Sequence, residues 1–402
     1  MKKDLENYTK VSLFFFFVVS CFGVLLRYIP LYEGEIVWNY ERLLQTHSHI
    51  AFLGWIFNII YIITLKQYPN VLENCKFLNY KLFFLLFQFA TIMIASSLLI
   101  WGYKVLAITF LSLHAYSTVH FAVRFIKNAD KSLPGTYLLK IGYILMSISY
   151  LGTIMLGPIS AMGYKYSDLY YSSIYFYLHF QYNGFFLLAI LGFLINYWDK
   201  ISLKIILPKN YINLFLISII LTYALSILFS KPNIIINIIA FIGSALQLFL
   251  IIKLFVLNKH ISPKFDFKLG RYVAIMVIIL FITRLISQVV APIIPNAVYS
   301  NRPLIILFLH LNFLGVITPL LLYLINIYII KSASFMKYII IFVIVFLNSE
   351  LFLFINSLSI LEIKNMYMAN FISVLLLSIS ILFLNIAFWK AIVFKENKEL
   401  NA

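Results

Sequence analysis

Residues 47–65 read HSHIAFLGWIFNIIYIITL, an apolar run long enough to cross a bilayer with two histidines near its start. A spanning helix needs roughly 20 mostly apolar residues, and further runs of this length follow along the chain. The spans are expected at about Val11–Arg27, His47–Leu65, Leu82–Trp101, Val105–Phe125, Tyr137–Ile159, Tyr171–Tyr197, Tyr211–Phe229, Ile234–Leu257, Tyr272–Val290, Leu304–Ile330, Tyr338–Leu358 and Phe371–Phe394. The connections are short, so residues 1–402 are expected to form a single all-α transmembrane bundle with no separate soluble domain.

Composition agrees with that reading. Of the 402 residues 63% are hydrophobic, 18% aromatic and only 11% charged, a balance that would coat a soluble protein with exposed apolar patches. The net charge of +17 does not point to nucleic acid, because the basic residues fall in the turns between spans and not on one patch or helix face. With twelve spans, 23 of the 31 Lys and Arg lie on one side. The positive-inside rule then places both termini in the cytoplasm. The environment expected is the lipid bilayer, in a bacterial inner membrane.

Cys21 and Cys75 are not spaced as a disulfide framework, a zinc site or a C-x-x-C-H haem attachment. The basic start, Met1–Asn7, resembles the opening of a signal segment, but the first apolar run lacks a small-residue cleavage site and is read as a retained helix. No repeat of 20 to 50 residues is visible. Gly and Pro mark the connections, and the helix breaks that would point to a transporter do not recur in matching halves. The outward connections are aromatic, Tyr28–Tyr40 and Gly163–Ser172, as interfacial belts are.

Five of the seven histidines lie inside spans, and His47 opens one. An ionisable side chain in hydrocarbon is costly and marks a functional site by default, and imidazole is a common metal and haem ligand. With the N-terminus inside, His47, His49, His114, His120, His179 and His310 all fall on even-numbered spans. His47, His49, His179 and His310 lie in the outer half, His114 near the middle and His120 deeper. Positions 47 and 49 are about 200° apart around a helix, so one of the pair is the expected ligand; depth favours His49.

Twelve spans with cytoplasmic termini and outer-half histidines on spans two, six and ten resemble the catalytic subunit of the haem–copper oxidase and nitric oxide reductase superfamily. The stretches THSHIAFLGW (46–55) and LHLNFLGVITP (309–319) are also similar to NnrS-type membrane proteins, a haem- and copper-associated family linked to nitric oxide stress. The resemblance implies a non-covalent haem, with His47 or His49 as the span-two axial ligand and His310 as one histidine of the span-ten pair. It implies His179 as the span-six copper ligand; His114 and His120 are further metal candidates as imidazoles buried in a span. It also implies an electron-donor protein or a quinone as partner.

Span seven has no histidine and span ten reads His310-Leu311-Asn312, so a complete haem–copper pair is not expected. The expected role is handling electrons or a small gas, O2 or NO, and not that of a proton-pumping terminal oxidase. Arg42, Arg284 and Arg302 are candidate partners of haem propionates. Tyr182, three residues after His179 on the same helix face, and Glu350, the one carboxylate deep in a span, are the candidates for proton transfer. The competing reading is a proton-coupled secondary transporter that uses the same histidines and Glu350.

Overall fold

A computed structural model describes residues 1–32, 39–72, 79–231, 233–259, 268–299, 301–358 and 363–400. Cys75 and His260 lie outside them. Twelve helices are long and apolar enough to cross a membrane, and no strand occurs among the described residues. The chain is an all-α polytopic membrane protein. The helices are α1 (Lys2–Leu31), α2 (Tyr40–Gln67), α3 (Tyr80–Trp101), α4 (Val105–Asn128), α5 (Thr136–Ala161), α6 (Asp168–Lys200), α7 (Lys209–Ser230), α8 (Ile234–Leu257), α9 (Lys268–Val290), α10 (Arg302–Ile330), α11 (Ala333–Ile355) and α12 (Met366–Lys395).

All twelve expected spans are present, and several begin earlier than hydropathy places them. Polar first turns extend the helices because short polar side chains cap them. Asn39 accepts from the Arg42 amide at the start of α2, Asn79 from Lys81 and Leu82 at α3, and Asn301 from Leu304 at α10. One consequence corrects the sequence reading: α2 begins at Tyr40, so His47 is within the helix and not at its mouth.

The chain forms two compact units. The first comprises Met1–Asp130, Asp266–Ile275 and Thr318–Ala402, the second Lys131–Phe265 and Met276–Ile317. In the first unit α12 packs along α1 and α11, and α3 packs along α2 and α4. A reciprocal amide pair holds α2 to α3: Asn58 Nδ2 donates to Gln88 Oε1 at 3.0 Å, and Gln88 Nε2 donates to Asn58 Oδ1 at 3.1 Å. In the second unit α5 pairs with α6 and α7 with α8. Gly152 brings the α5 and α6 backbones together, since a Cβ there would stand 2.4 Å from the Ser173 carbonyl oxygen. Small residues serve this purpose in membranes, where packing and not hydrophobicity drives helix association.

Three helices widen to π-helical geometry immediately after a histidine. The segments are Ile50–Phe57 after His49, Phe180–Phe186 after His179 and Leu311–Ile317 after His310. Such turns are rare and gather at functional sites.

Candidate functional site

In the first unit His47 and His49 point to different neighbours, as their two-residue spacing requires. His47 Nδ1 meets the Val19 carbonyl of α1 at 3.0 Å. His49 Nδ1 donates to the Gln45 carbonyl one turn back at 2.8 Å, and its Nε2 faces the Tyr103 hydroxyl at 3.3 Å. A backbone carbonyl on Nδ1 fixes the tautomer with the lone pair on Nε2, the arrangement usual for ligating histidines; here that lone pair accepts from the Tyr103 hydroxyl.

His114 of α4 lies within electrostatic reach of His49. It is 2% exposed, with the rings of Phe57 and Phe87 centred 5.4 and 5.5 Å from its own, and its Nε2 has no hydrogen-bond partner. A buried polar atom without a partner costs about 1–3 kcal/mol, so this one invites a ligand. His120, two turns further along α4, is half-buried, and its Nε2 is likewise buried without a partner. Arg42 is committed elsewhere: its Nη1 donates to the Ile100 carbonyl at the end of α3 at 2.6 Å. Glu350 on α11 is buried, with the Ser349 hydroxyl 3.4 Å from its Oε1.

The second unit holds a continuous polar string. Arg284 of α9 is 2% exposed; its Nη2 donates to Asn183 Oδ1 and its Nε to Asn312 Oδ1. With Asn183 Oδ1 so occupied, its Nδ2 donates to His179 Nδ1 at 3.1 Å. His179 must therefore carry its proton on Nε2, which donates to the Ile219 carbonyl at 2.8 Å. Both ring nitrogens of His179 are thus engaged, and the imidazole offers no lone pair to copper in this arrangement. The chain of bonds decides the tautomer from the guanidinium inward.

Tyr182 is buried beside this string, hydrogen-bonded to Ser226 and Asn183, its ring edge-on to Phe313 at 5.6 Å. His310 and Arg302, also expected at the site, are respectively half-buried on α10 and exposed at its first turn. Among the described residues no carboxylate neutralises Arg284, and its Nη1 has no partner. Asn183 and Asn312 are the functional residues that sequence reasoning passed over.

Among the described residues no three His, Cys, Asp or Glu side chains gather as a metal site. His49 and His114 lie within electrostatic reach of each other, and His179 is joined through Asn183 to Arg284, with the Tyr182 ring 6.2 Å from its own. No protein-family model matches the chain, and no curated protein is detectably similar to it.

Proposed function

We propose that this chain is a membrane protein that binds haem non-covalently and handles electrons or a small gas such as O2 or NO, on the plan of oxidase-like catalytic subunits and without a complete haem–copper pair. The observation that carries the reading is in the first unit: His114 presents a buried, unpartnered Nε2 within electrostatic reach of His49, whose ring is held by its own helix. Neutral imidazoles so placed fit an iron porphyrin, which when bound would supply one-electron redox chemistry. His114, and His49 once the partly exposed Tyr103 hydroxyl releases its Nε2, would hold the iron, with Phe57 and Phe87 excluding water around His114. The Gln45 carbonyl keeps His49 from rotating away. In the second unit the donors as they stand do not fit copper, because His179 is doubly hydrogen-bonded and α7 has no histidine.

The test is a visible spectrum of the protein purified in detergent from haem-replete cells. A Soret band is expected, shifted or lost in His114→Ala and His49→Ala. Absence of both Soret absorbance and extractable haem would sink the reading. Steady oxygen consumption with a reduced quinone or cytochrome, abolished by His179→Ala, would show instead that the protein is a terminal oxidase.

A second reading, a proton-coupled transporter, is favoured by one observation. Arg284 is a buried cation with no carboxylate beside it among the described residues, and a buried charge needs a counter-charge; an anionic solute would supply one, and Glu350 the proton site. Proton-gradient-driven anion uptake into proteoliposomes, lost in Arg284→Gln, is its test. No uptake by haem-free protein removes it.

A further inference from the structure

Arg284, in the second unit, is a buried cation held by neutral groups among the described residues. Its Nη2 and Nε donate to the side-chain oxygens of Asn183 and Asn312. Each of those amides is itself fixed from behind, Asn183 Nδ2 on His179 Nδ1 at 3.1 Å and Asn312 Nδ2 on the Phe308 carbonyl at 2.6 Å. The Phe281 ring lies 5.5 Å from the guanidinium carbon, and Tyr182, within electrostatic reach, is a neutral phenol. An aspartate at position 183 or 312 would orient the guanidinium and also neutralise it; two amides orient it and leave its charge in place. Nη1 is the nitrogen they leave buried without a hydrogen-bond partner.

One turn further along α9 stands Gln288, 2% exposed, whose Oε1 is likewise buried without a partner. Residues four apart share a helix face, and helical side chains lean towards the N-terminus, so Gln288 covers the turn that carries Arg284. Nη1 only donates and Oε1 only accepts, yet the two do not bond to each other. A molecule that satisfies both carries an acceptor at one end and a hydrogen at the other.

We propose that Arg284 Nη1 and Gln288 Oε1 bind a small, singly charged oxyanion that carries a hydroxyl, of which bicarbonate is the simplest. The negative charge is required because a buried guanidinium without a counter-charge is costly; a water molecule would bridge the two atoms and leave that charge as it is. The hydroxyl is required because Oε1 accepts, and a halide or nitrate has no hydrogen to give. Small size follows from the burial of both atoms. Arg284 is less than two turns from Val290, where α9 ends, on the side that the positive-inside rule makes external, so a soluble ion has a short way in. The proposal deepens the transporter reading and rests on the same unneutralised guanidinium, but it concerns binding and not passage.

The test is calorimetric titration of the detergent-purified full chain with potassium bicarbonate and with potassium nitrate, at mildly alkaline pH and equal ionic strength. Saturable bicarbonate binding is expected. Nitrate, planar and of the same charge but without a hydrogen, should bind about fivefold more weakly, the worth of one neutral hydrogen bond. Gln288→Leu should weaken bicarbonate about fivefold and leave nitrate as it was, a difference that a misfolded variant would not show. Arg284→Gln should lose both anions. No saturable bicarbonate binding would overturn the proposal, as would nitrate bound as tightly as bicarbonate, a Gln288→Leu loss shared by both anions, or wild-type binding by Arg284→Gln. Binding without proton-driven uptake into proteoliposomes would retain the site and remove the transporter. Uptake of an anion with which bicarbonate does not compete would retain the transporter and overturn the site assigned here.

Discussion

Replacing Asn183 with leucine should destabilise this protein more than replacing Arg284 with leucine, although the first change removes a neutral amide and the second a charge. In Arg284→Leu the oxygens of Asn183 and Asn312 lose the guanidinium that each accepts from. Two orphaned buried acceptors cost about 1–3 kcal/mol each. Against this, the variant no longer buries a cation without a counter-charge, a burial whose penalty is itself several kcal/mol. The two nearly cancel, leaving a net change within about 2 kcal/mol. Asn183→Leu keeps the charge and strips it: Nη1 already has no partner, Nη2 would join it, and His179 Nδ1 would retain only the Ser226 hydroxyl at 3.5 Å. Removing one partner of a buried charge costs about 3–5 kcal/mol. The double variant should therefore be more stable than Asn183→Leu alone. Thermal unfolding of the four proteins in one detergent at one pH reads the order directly. If Arg284→Leu is the worse single change and the two effects add, Arg284 is not an uncompensated charge and the reasoning fails.

Three further outcomes follow from the geometry. Breaking the α2–α3 amide pair by Asn58→Leu or Gln88→Leu should cost about 1–2 kcal/mol each, and the double variant less than the sum, because neither amide is then stranded; an additive cycle would deny the pairing. Gly54→Ala should destabilise by about 1–3 kcal/mol through overpacking, since the added Cβ would stand 2.9 Å from Cγ of the buried Phe15; a fluorescence melt unchanged from wild type would show that α1 yields freely. Tyr299, outside the spans, has its phenol pushed above the usual value by burial and donates to the Leu225 carbonyl at 3.3 Å. A raised value in the folded state contributes stability that is whole below the unfolded phenol's value of about 10 and is lost as pH rises through the folded one. Tyr299→Phe should flatten that alkaline loss, and an unaltered pH–stability curve would remove Tyr299 as its source.

The spans were legible because a run of about 20 apolar residues has few other uses, and their ends were not, because hydropathy discards the polar turns that Asn39, Asn79 and Asn301 cap into helix. The histidines stood out by residue type alone. What each imidazole does was hidden, since it depends on tertiary partners: His179 spends its Nε2 on a carbonyl forty residues away, and His49 spends Nδ1 on its own helix. Asn312 shows the same limit from the other side. In the sequence it reads as a missing ligand beside His310; in the fold its oxygen accepts from Arg284, and its Nδ2 donates to the Phe308 carbonyl.

One signal is present in the sequence at a spacing wider than that of a 20 to 50 residue repeat. His49, His179 and His310 lie 130 and 131 residues apart, and each opens the same pattern: an apolar residue next, an aromatic ring at the third position after the histidine (Phe52, Tyr182, Phe313) and glycine at the fifth (Gly54, Gly184, Gly315). Each pattern coincides with a π-helical segment. In two of the three the glycine admits a neighbour that a Cβ would meet closer than van der Waals contact: Phe15 against Gly54 at 2.9 Å and Leu145 against Gly184 at 3.0 Å. A widened turn spreads its side chains over more of the helix circumference, and at these two a small residue stands where a neighbour presses closest. The glycine therefore makes room for a close neighbour at two of these turns, and the histidine just before each places an imidazole at its start; a further π-helical segment, Asn326–Ile330, has neither. Local sequence, recurring every four spans, sets this geometry in surroundings that otherwise differ. Tertiary partners then divide the histidines, setting His49 against Tyr103 and closing His179 within the Arg284 string.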